Sequence, residues 1–230
     1  MSDTLKVTGI ILRRTNYKEA DRILSVLTRE HGQLAVIARG VRREQSRLAG
    51  GIELFATCEL SLVKSAMNLQ GMWTLTGARL MHFYDYIMTD YDRLQFGYDA
   101  IKRVSKLADA IDSPELYDVL LGVIELLNKS TVDLRMTKAW FYLKLARLSG
   151  MELNLLTDGN GMQLVEGASY DYNKADGVFV FNSQGQYNTA VLKLLRVLLA
   201  NDATVAARLS GIDDTVLSNA VYLAATAAQV

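Results

Sequence analysis

The sequence predicts an α+β protein in two parts, a small closed β-barrel over residues 1–82 and an all-helical domain over residues 83–230. Three observations carry that reading. Apolar residues alternate with period two through the N-terminal third, and the spacing then becomes helical. The charge divides in the same place: residues 1–80 hold 12 Lys and Arg against 7 Asp and Glu, and the remainder holds 13 against 18. Half of the composition is hydrophobic, which over 230 residues is enough to bury a sizeable core and argues against disorder.

The strands read in order. KVTGIILRR is a first β-rich run and TNYKEAD a breaker region. RILSVLT then leads through EHGQ, where Gly32 supplies a left-handed position, into LAVIARGVRR as the returning strand of a hairpin. In TCELSLVK, Cys58, Leu60 and Leu62 alternate with Thr57, Glu59 and Ser61, and MWTLTG repeats the pattern with Trp73 and Leu75. Five short strands fit a closed barrel, which removes sheet edges, better than an open sandwich.

The helices follow. YDRLQFGYDAIKRVSKLADAI places Leu94, Tyr98, Ile101, Val104, Ala108 and Ile111 on one stripe, and Asp112-Ser113-Pro114-Glu115 stops that helix and starts another running to about Lys129. Thr131 is placed to cap VDLRMTKAWFYLKLARLSG, with Leu134, Trp140 or Phe141, Leu145 and Leu148 as its stripe and Gly150 as its stop. TAVLKLLRVLLAN and DDTVLSNAVYLAATAA close the chain. Residues 151–188, with five glycines and one β-like run, VFVF, read as a small irregular, cysteine-free insertion.

Chemistry-bearing constellations are scarce. His31 and His82 have no metal-ligand partner at suitable spacing, no phosphate loop or nucleophile elbow occurs, and the single cysteine, Cys58, falls on an apolar strand face. No catalytic residue, metal or cofactor is expected. An enzymatic alternative would have to use Asp158, Glu166 or Asp171 of the insertion as acid or base. No run reaches the roughly 18–20 apolar residues of a membrane span and no leader is apparent, so the expectation is a soluble protein of a reducing cytoplasm.

What remains is VIARGVRREQSR, with Arg39, Arg42, Arg43 and Arg47 inside a chain of zero formal net charge. Read as a strand leaving the barrel, it puts Arg39 and Arg43 on one face and Arg42 on the other. Arginine's planar fork suits phosphate, and small barrels bind nucleic-acid strands through a basic groove with aromatics for stacking; Tyr17, Phe55 and Trp73 are the aromatics at hand. Arg13, Arg14 and Lys18 extend the basic path. These residues do not separate DNA from RNA, so an RNA-binding module in translation or RNA processing is the alternative.

The same residues carry a resemblance. The Y-x-E-A-D element at Tyr17–Asp21, the L-T-x-E-H-G turn at Leu27–Gly32 and the A-x-G-x-R-x-x-x-S-R element from Ala38 to Arg47 resemble the N-terminal domain of the RecO family of bacterial recombination mediators, and FYLKLARLSGMELNL resembles its long helix and exit turn. The resemblance implies an OB-fold barrel followed by a helical domain. It also implies a non-enzymatic, nucleoid-associated protein that binds single- and double-stranded DNA, anneals strands and helps load recombinase onto protein-coated single strands. Its implied partners are RecR and the acidic C-terminal tail of single-stranded DNA-binding protein, for which Arg135, Lys138, Lys144 and Arg147 are the candidate contacts. Many family members carry a four-cysteine zinc knuckle after the exit turn; this chain reads LTDGNGMQLVEG there, so zinc is not carried over.

Overall fold

Five strands, β1 (Asp3–Tyr17), β2 (Asp21–Thr28), β3 (Gly32–Ala38), β4 (Ala56–Lys64) and β5 (Trp73–Phe83), close into a barrel in the order β1-β2-β3-β5-β4 in the computed structural model, which describes residues 3–64 and 71–228. β1 is long because it serves two neighbours: Asp3–Ile10 pair with β4 and Gly9–Tyr17 with β2. At the handover only glycine fits, since a Cβ on Gly9 would stand 2.5 Å from Val26 Cγ1. The β1–β2 register then slips between Ile11 and Arg13, so that Leu12 is a bulge and Ile10, Ile11 and Leu12 are buried in succession. A short parallel pairing of Val36 and Ile37 with Trp73 and Thr74 closes the ring. Inward positions at period two, among them Leu24, Val26, Val36, Cys58, Leu60 and Leu62, fill it.

Two strand ends differ from the sequence reading. β1 continues through Thr15-Asn16-Tyr17, so the turn is only Lys18-Glu19-Ala20, and β3 stops at Ala38 rather than running through the arginines. The chain turns away from the strand direction at Gly40, whose φ is +63°.

A short 3-10 turn, Asp85–Thr89, leads into α1 (Tyr91–Ala108), capped by Asp90, whose carboxylate accepts the amides of Asp92 and Arg93. Phe96, Ala100, Ile101, Val104 and Leu107 form its buried stripe, whereas Tyr98 is 49 % exposed and meets the buried Phe55 ring edge-on at 5.1 Å. Gln33 Nε2 donates to Asp109 at 2.9 Å, and Arg29 forks onto Asp118 of α2 (Pro114–Leu127) at 2.9 and 3.1 Å. These bonds tie the β2–β3 hairpin to the helices after it. The strand-to-helix change falls at Phe83, while packing divides the chain later, into compact units of residues 1–124 and 125–230.

In the second unit α3 (Leu134–Leu148) is capped by Asp133, not Thr131, because the Asp133 carboxylate accepts the Arg135 amide. Both Trp140 and Phe141 are buried, as are Met136, Leu143 and Leu145, so α3 is apolar on most sides and runs through the core with α4 (Thr189–Ala200), α5 (Ala203–Ala206) and α6 (Asp214–Ala227). The unit is not all-helical. Residues 151–188 hold a three-stranded antiparallel sheet, order β7-β6-β8, made of β6 (Ser169–Asn173), β7 (Val178–Phe181) and β8 (Tyr187–Asn188). Its centre is aromatic: Phe179, 1 % exposed, meets Tyr172 at 5.2 Å, Tyr187 at 6.0 Å and Tyr170 at 6.3 Å, all edge-to-face. Among the described residues no helix is long and apolar enough to cross a membrane.

Candidate nucleic-acid interface

The arginine segment is a run of turns. Gly40 has φ of +63°, a conformation that ends β3 and that side-chain-bearing residues rarely adopt, and its amide donates to Asp21 Oδ1 at 2.8 Å. The next amide bonds lead the chain back across the β1–β2 turn: Arg42 N donates to the Ala20 carbonyl at 2.9 Å and Arg43 N to Gly40 O at 3.1 Å. Val41 points inward and is buried in the barrel core, while Leu48 and Ala49 pack against that core at the far end. With both ends anchored, Arg39, Arg42, Arg43 and Arg47 are left exposed. Assignment of the arginines to two strand faces therefore gives way to a loop whose side chains radiate from successive turns.

The segment does not stand alone. Because Tyr17 pairs with Asp21 and Arg22 with Ala38, the β1–β2 turn and the arginine loop lie at one end of the barrel. Arg42 Nη1 reaches the Lys18 carbonyl at 3.4 Å, and Lys18, with φ of +51°, places its ammonium 5.4 Å from the Tyr17 ring centre. Tyr17 and Trp73 are half-buried and Phe55 is core, so two of the three aromatics retain accessible surface. Lys64 Nζ lies 5.7 Å from the Trp73 ring centre.

The bulge at Leu12 sorts the two β1 arginines. Arg13 is exposed; Arg14 turns to Glu53 and pairs with it at 2.8 Å, also reaching the Ile52 carbonyl at 3.4 Å. Among the described residues Arg13, Arg39, Arg43 and Arg47 form no ion pair and donate no side-chain hydrogen bond, whereas Arg14 is committed to the protein. Arg22 joins the cluster by register: it opposes Ala38 and its Nε bonds Asn16 Oδ1 at 3.3 Å. It was legible in principle, since the Thr28–Gly32 turn fixes which β2 residue stands beside the end of β3.

The helix α3 cations separate as well. Arg135 clamps the starts of α3 and α6, pairing with Asp133 at 2.8 Å and Asp214 at 2.7 Å, and these two carboxylates hold its guanidinium more firmly protonated than usual. Lys144 Nζ donates to the Leu199 carbonyl at 2.7 Å, occupying a C-terminal acceptor of α4, and Lys138 is half-buried on the same helix. Arg147 lines a groove of about 620 Å³ with Leu155, Leu156, Arg196 and Leu199. Leu156 is 71 % exposed, Arg147 faces Glu152 at 3.7 Å, and Arg196 binds the Leu155 carbonyl through two nitrogens at 2.9 and 2.7 Å. Nothing in the helical period marks Arg196 or the exposed leucine, because the groove is made by the loop after α3.

The three carboxylates of the enzymatic alternative are not brought together. Asp158 accepts the amides of Asn160 and Met162, Asp171 accepts from Asn182 at 2.6 Å, and exposed Glu166 pairs with Lys193, which holds its carboxyl below the usual range. Each carboxylate holds local structure. Among the described residues no group of three or more His, Cys, Asp or Glu is placed to hold a metal ion. Cys58 is fully buried, and loss of water around the thiol pushes it up to about 11 from an ordinary 9.0. Alkylation of Cys58 at pH 8 should therefore track unfolding; rapid labelling of the folded chain would contradict its burial. Because the folded value is raised, the thiol's contribution to stability is present below pH 9.0 and is lost as pH rises towards about 11.

A basic, turn-built loop on a closed five-stranded barrel, followed by a largely helical unit, defines the class of fold. The chain belongs to the recombination protein O family: the model described as Recombination protein O N terminal matches residues 1–84 and that described as Recombination protein O C terminal matches residues 88–217. Relatives named DNA repair protein RecO are similar over much of the chain. That of Heliobacterium modesticaldum is 30 % identical over 208 residues, covering 86 % of this chain and 74 % of its own length. That of Chlorobium phaeobacteroides is 28 % identical over 182 residues, 79 % of this chain and 69 % of the relative. For the Rubrobacter xylanophilus protein, 31 % identical over 142 residues, the match covers 62 % of this chain and only 56 % of the relative.

Proposed function

We propose that this protein is a non-enzymatic DNA-binding recombination mediator acting in DNA repair, with an OB-fold barrel as its DNA-binding part. The observation that carries the reading is the arginine loop: Arg39, Arg43 and Arg47 are exposed and free of ion pairs among the described residues, on turns anchored by Val41 and the Gly40 amide. Unpaired guanidiniums held on a fixed backbone release counterions when they meet phosphate without first breaking an internal bond. Arg13, Lys18, Arg42 and Arg22 extend the surface; Arg14, committed to Glu53, contributes less. Binding to single and double strands, annealing, and loading of recombinase onto coated single strands, with RecR as partner in the nucleoid, are the activities that family membership supports.

The test is a salt titration with single-stranded DNA. Arg43→Ala is expected to weaken all sequences alike and to lower the log–log salt slope by about 1. An unchanged slope would remove Arg43 from the interface. Competition by RNA oligomers of the same length distinguishes the RNA-binding reading, which requires RNA to displace DNA efficiently.

For the acidic, hydrophobic-ended tail of single-stranded DNA-binding protein, the groove at Arg147, Leu156 and Arg196 is the receptor we propose. It offers an apolar floor for one anchor and two cations, and it leaves Lys144 and Arg135 in their structural bonds. Affinity near micromolar, on the order of −8 kcal/mol, is expected for such a contact. An Arg147→Glu, Leu156→Asp double variant should weaken a labelled tail peptide by roughly 100-fold. Equal binding by wild type and variant would move the receptor elsewhere.

A further inference from the structure

The Tyr17–Asp21 element and the Ala38–Arg47 element are separate in the sequence, and the fold joins them through one carboxylate. Asp21 opens β2, directly after the Lys18-Glu19-Ala20 turn, and its Oδ1 accepts the Gly40 amide at 2.8 Å. Two further bonds flank it, from Arg42 N to the Ala20 carbonyl at 2.9 Å and from Arg42 Nη1 to the Lys18 carbonyl at 3.4 Å. Gly40 is the residue at which the chain leaves β3, and its φ of +63° sets the direction in which Arg42 and Arg43 emerge. An aspartate in this position is electrostatically adverse to an anionic ligand, since its charge is bonded to the backbone of the loop that carries the cations.

We propose that Asp21 is a positioning residue for DNA binding, acting through the Gly40 amide to hold the arginine loop in its binding shape, and that its charge is tolerated for the sake of that bond. The proposal rests on the reading of the arginine loop as the DNA contact. Two substitutions then separate geometry from charge, which make opposite predictions for Asp21→Ala. Asp21→Asn keeps an Oδ1 acceptor for the Gly40 amide and loses the negative charge, so it should bind as tightly as wild type or more tightly. Asp21→Ala loses both, leaving the Gly40 amide without its acceptor, and should bind a labelled oligothymidylate about tenfold more weakly at low salt.

The experiment measures oligothymidylate affinity of the full chain, and hydrogen exchange of residues 39–43 without DNA, for wild type, Asp21→Asn, Asp21→Ala and the double variant Arg42→Glu, Arg43→Glu. The expected result is weaker binding and faster exchange in Asp21→Ala alone of the two Asp21 variants. Tighter binding by both Asp21 variants to the same extent would show that only the charge matters and would overturn the proposal, as would unchanged exchange in Asp21→Ala. If Asp21→Ala does not fold, Gly40→Ala strains the same turn with Asp21 intact and should reproduce the loss of affinity; wild-type binding by that variant also overturns it. Loss of binding in the double arginine variant but not in Asp21→Ala means that Asp21 is wrong and the loop right. Wild-type binding in the double arginine variant means that the DNA site itself lies elsewhere, and the proposal falls with it.

Discussion

Reversing Arg42 and Arg43 to glutamate together is expected to lower affinity for single-stranded DNA by roughly two orders of magnitude or more at low salt, and to lower the log–log salt slope by about 2. The two residues sit on consecutive turn positions beside Glu44, so the double reversal replaces the centre of a cationic loop with three adjacent carboxylates. Both guanidiniums are exposed; among the described residues Arg43 donates no side-chain bond and Arg42 donates one, at 3.4 Å, to the Lys18 carbonyl. The backbone bonds of both residues survive side-chain replacement. The melting temperature should therefore stay near that of wild type while binding collapses, a separation that a scan of thermal stability beside fluorescence anisotropy would show. Retained affinity at low salt would take the interface away from this loop.

The partial legibility of this site has a physical cause. Period two identifies inward residues such as Leu60 and Leu62, and a glycine turn at Gly32 fixes the β2–β3 register, because these are local facts. The bulge at Leu12 is not local in that sense: three consecutive buried residues are compatible with a helix, a bulge or a strand covered on both faces. It decides that Arg13 reaches solvent and Arg14 reaches Glu53, two fates that adjacent arginines do not announce. The Gly40 amide, just past the end of β3, finds its acceptor in the Asp21 carboxylate, 19 positions away in sequence. Likewise Arg135 reads as a solvent-facing helix cation until Asp214 is brought to it from α6. The strand β6, SYDYN, alternates aromatic with polar residues whose neighbours come from other segments, and so shows no apolar run of its own.

Replacing Phe179 with alanine is expected to destabilise the second unit by roughly 3–5 kcal/mol, the usual cost of removing a buried aromatic ring from a closed core. Phe179 is 1 % exposed, and its ring is the common neighbour of Tyr170, Tyr172 and Tyr187, so its loss leaves a cavity bounded by three phenols rather than a gap the backbone can close. Burial already pushes the Tyr187 hydroxyl up to about 12, which marks the same volume as poorly solvated. The backbone link is retained in the variant, because the Phe179 carbonyl still accepts the Gly159 amide, at 2.8 Å in the parent, so the loss is one of ring packing alone. The unfolding transition can be followed through Trp140 in a Trp73→Phe background, where the second unit holds the remaining indole. A denaturant midpoint lowered with little change in slope is the expected outcome, and a shift worth less than about 1 kcal/mol would show that the rings are not the core of this sheet. A chelator added to the parent protein provides the complementary measurement. If aromatic packing does in this chain what a metal knuckle does elsewhere, the Trp140 transition stays where it is in the presence of chelator, and a chelator-induced loss of stability would overturn the metal-free account.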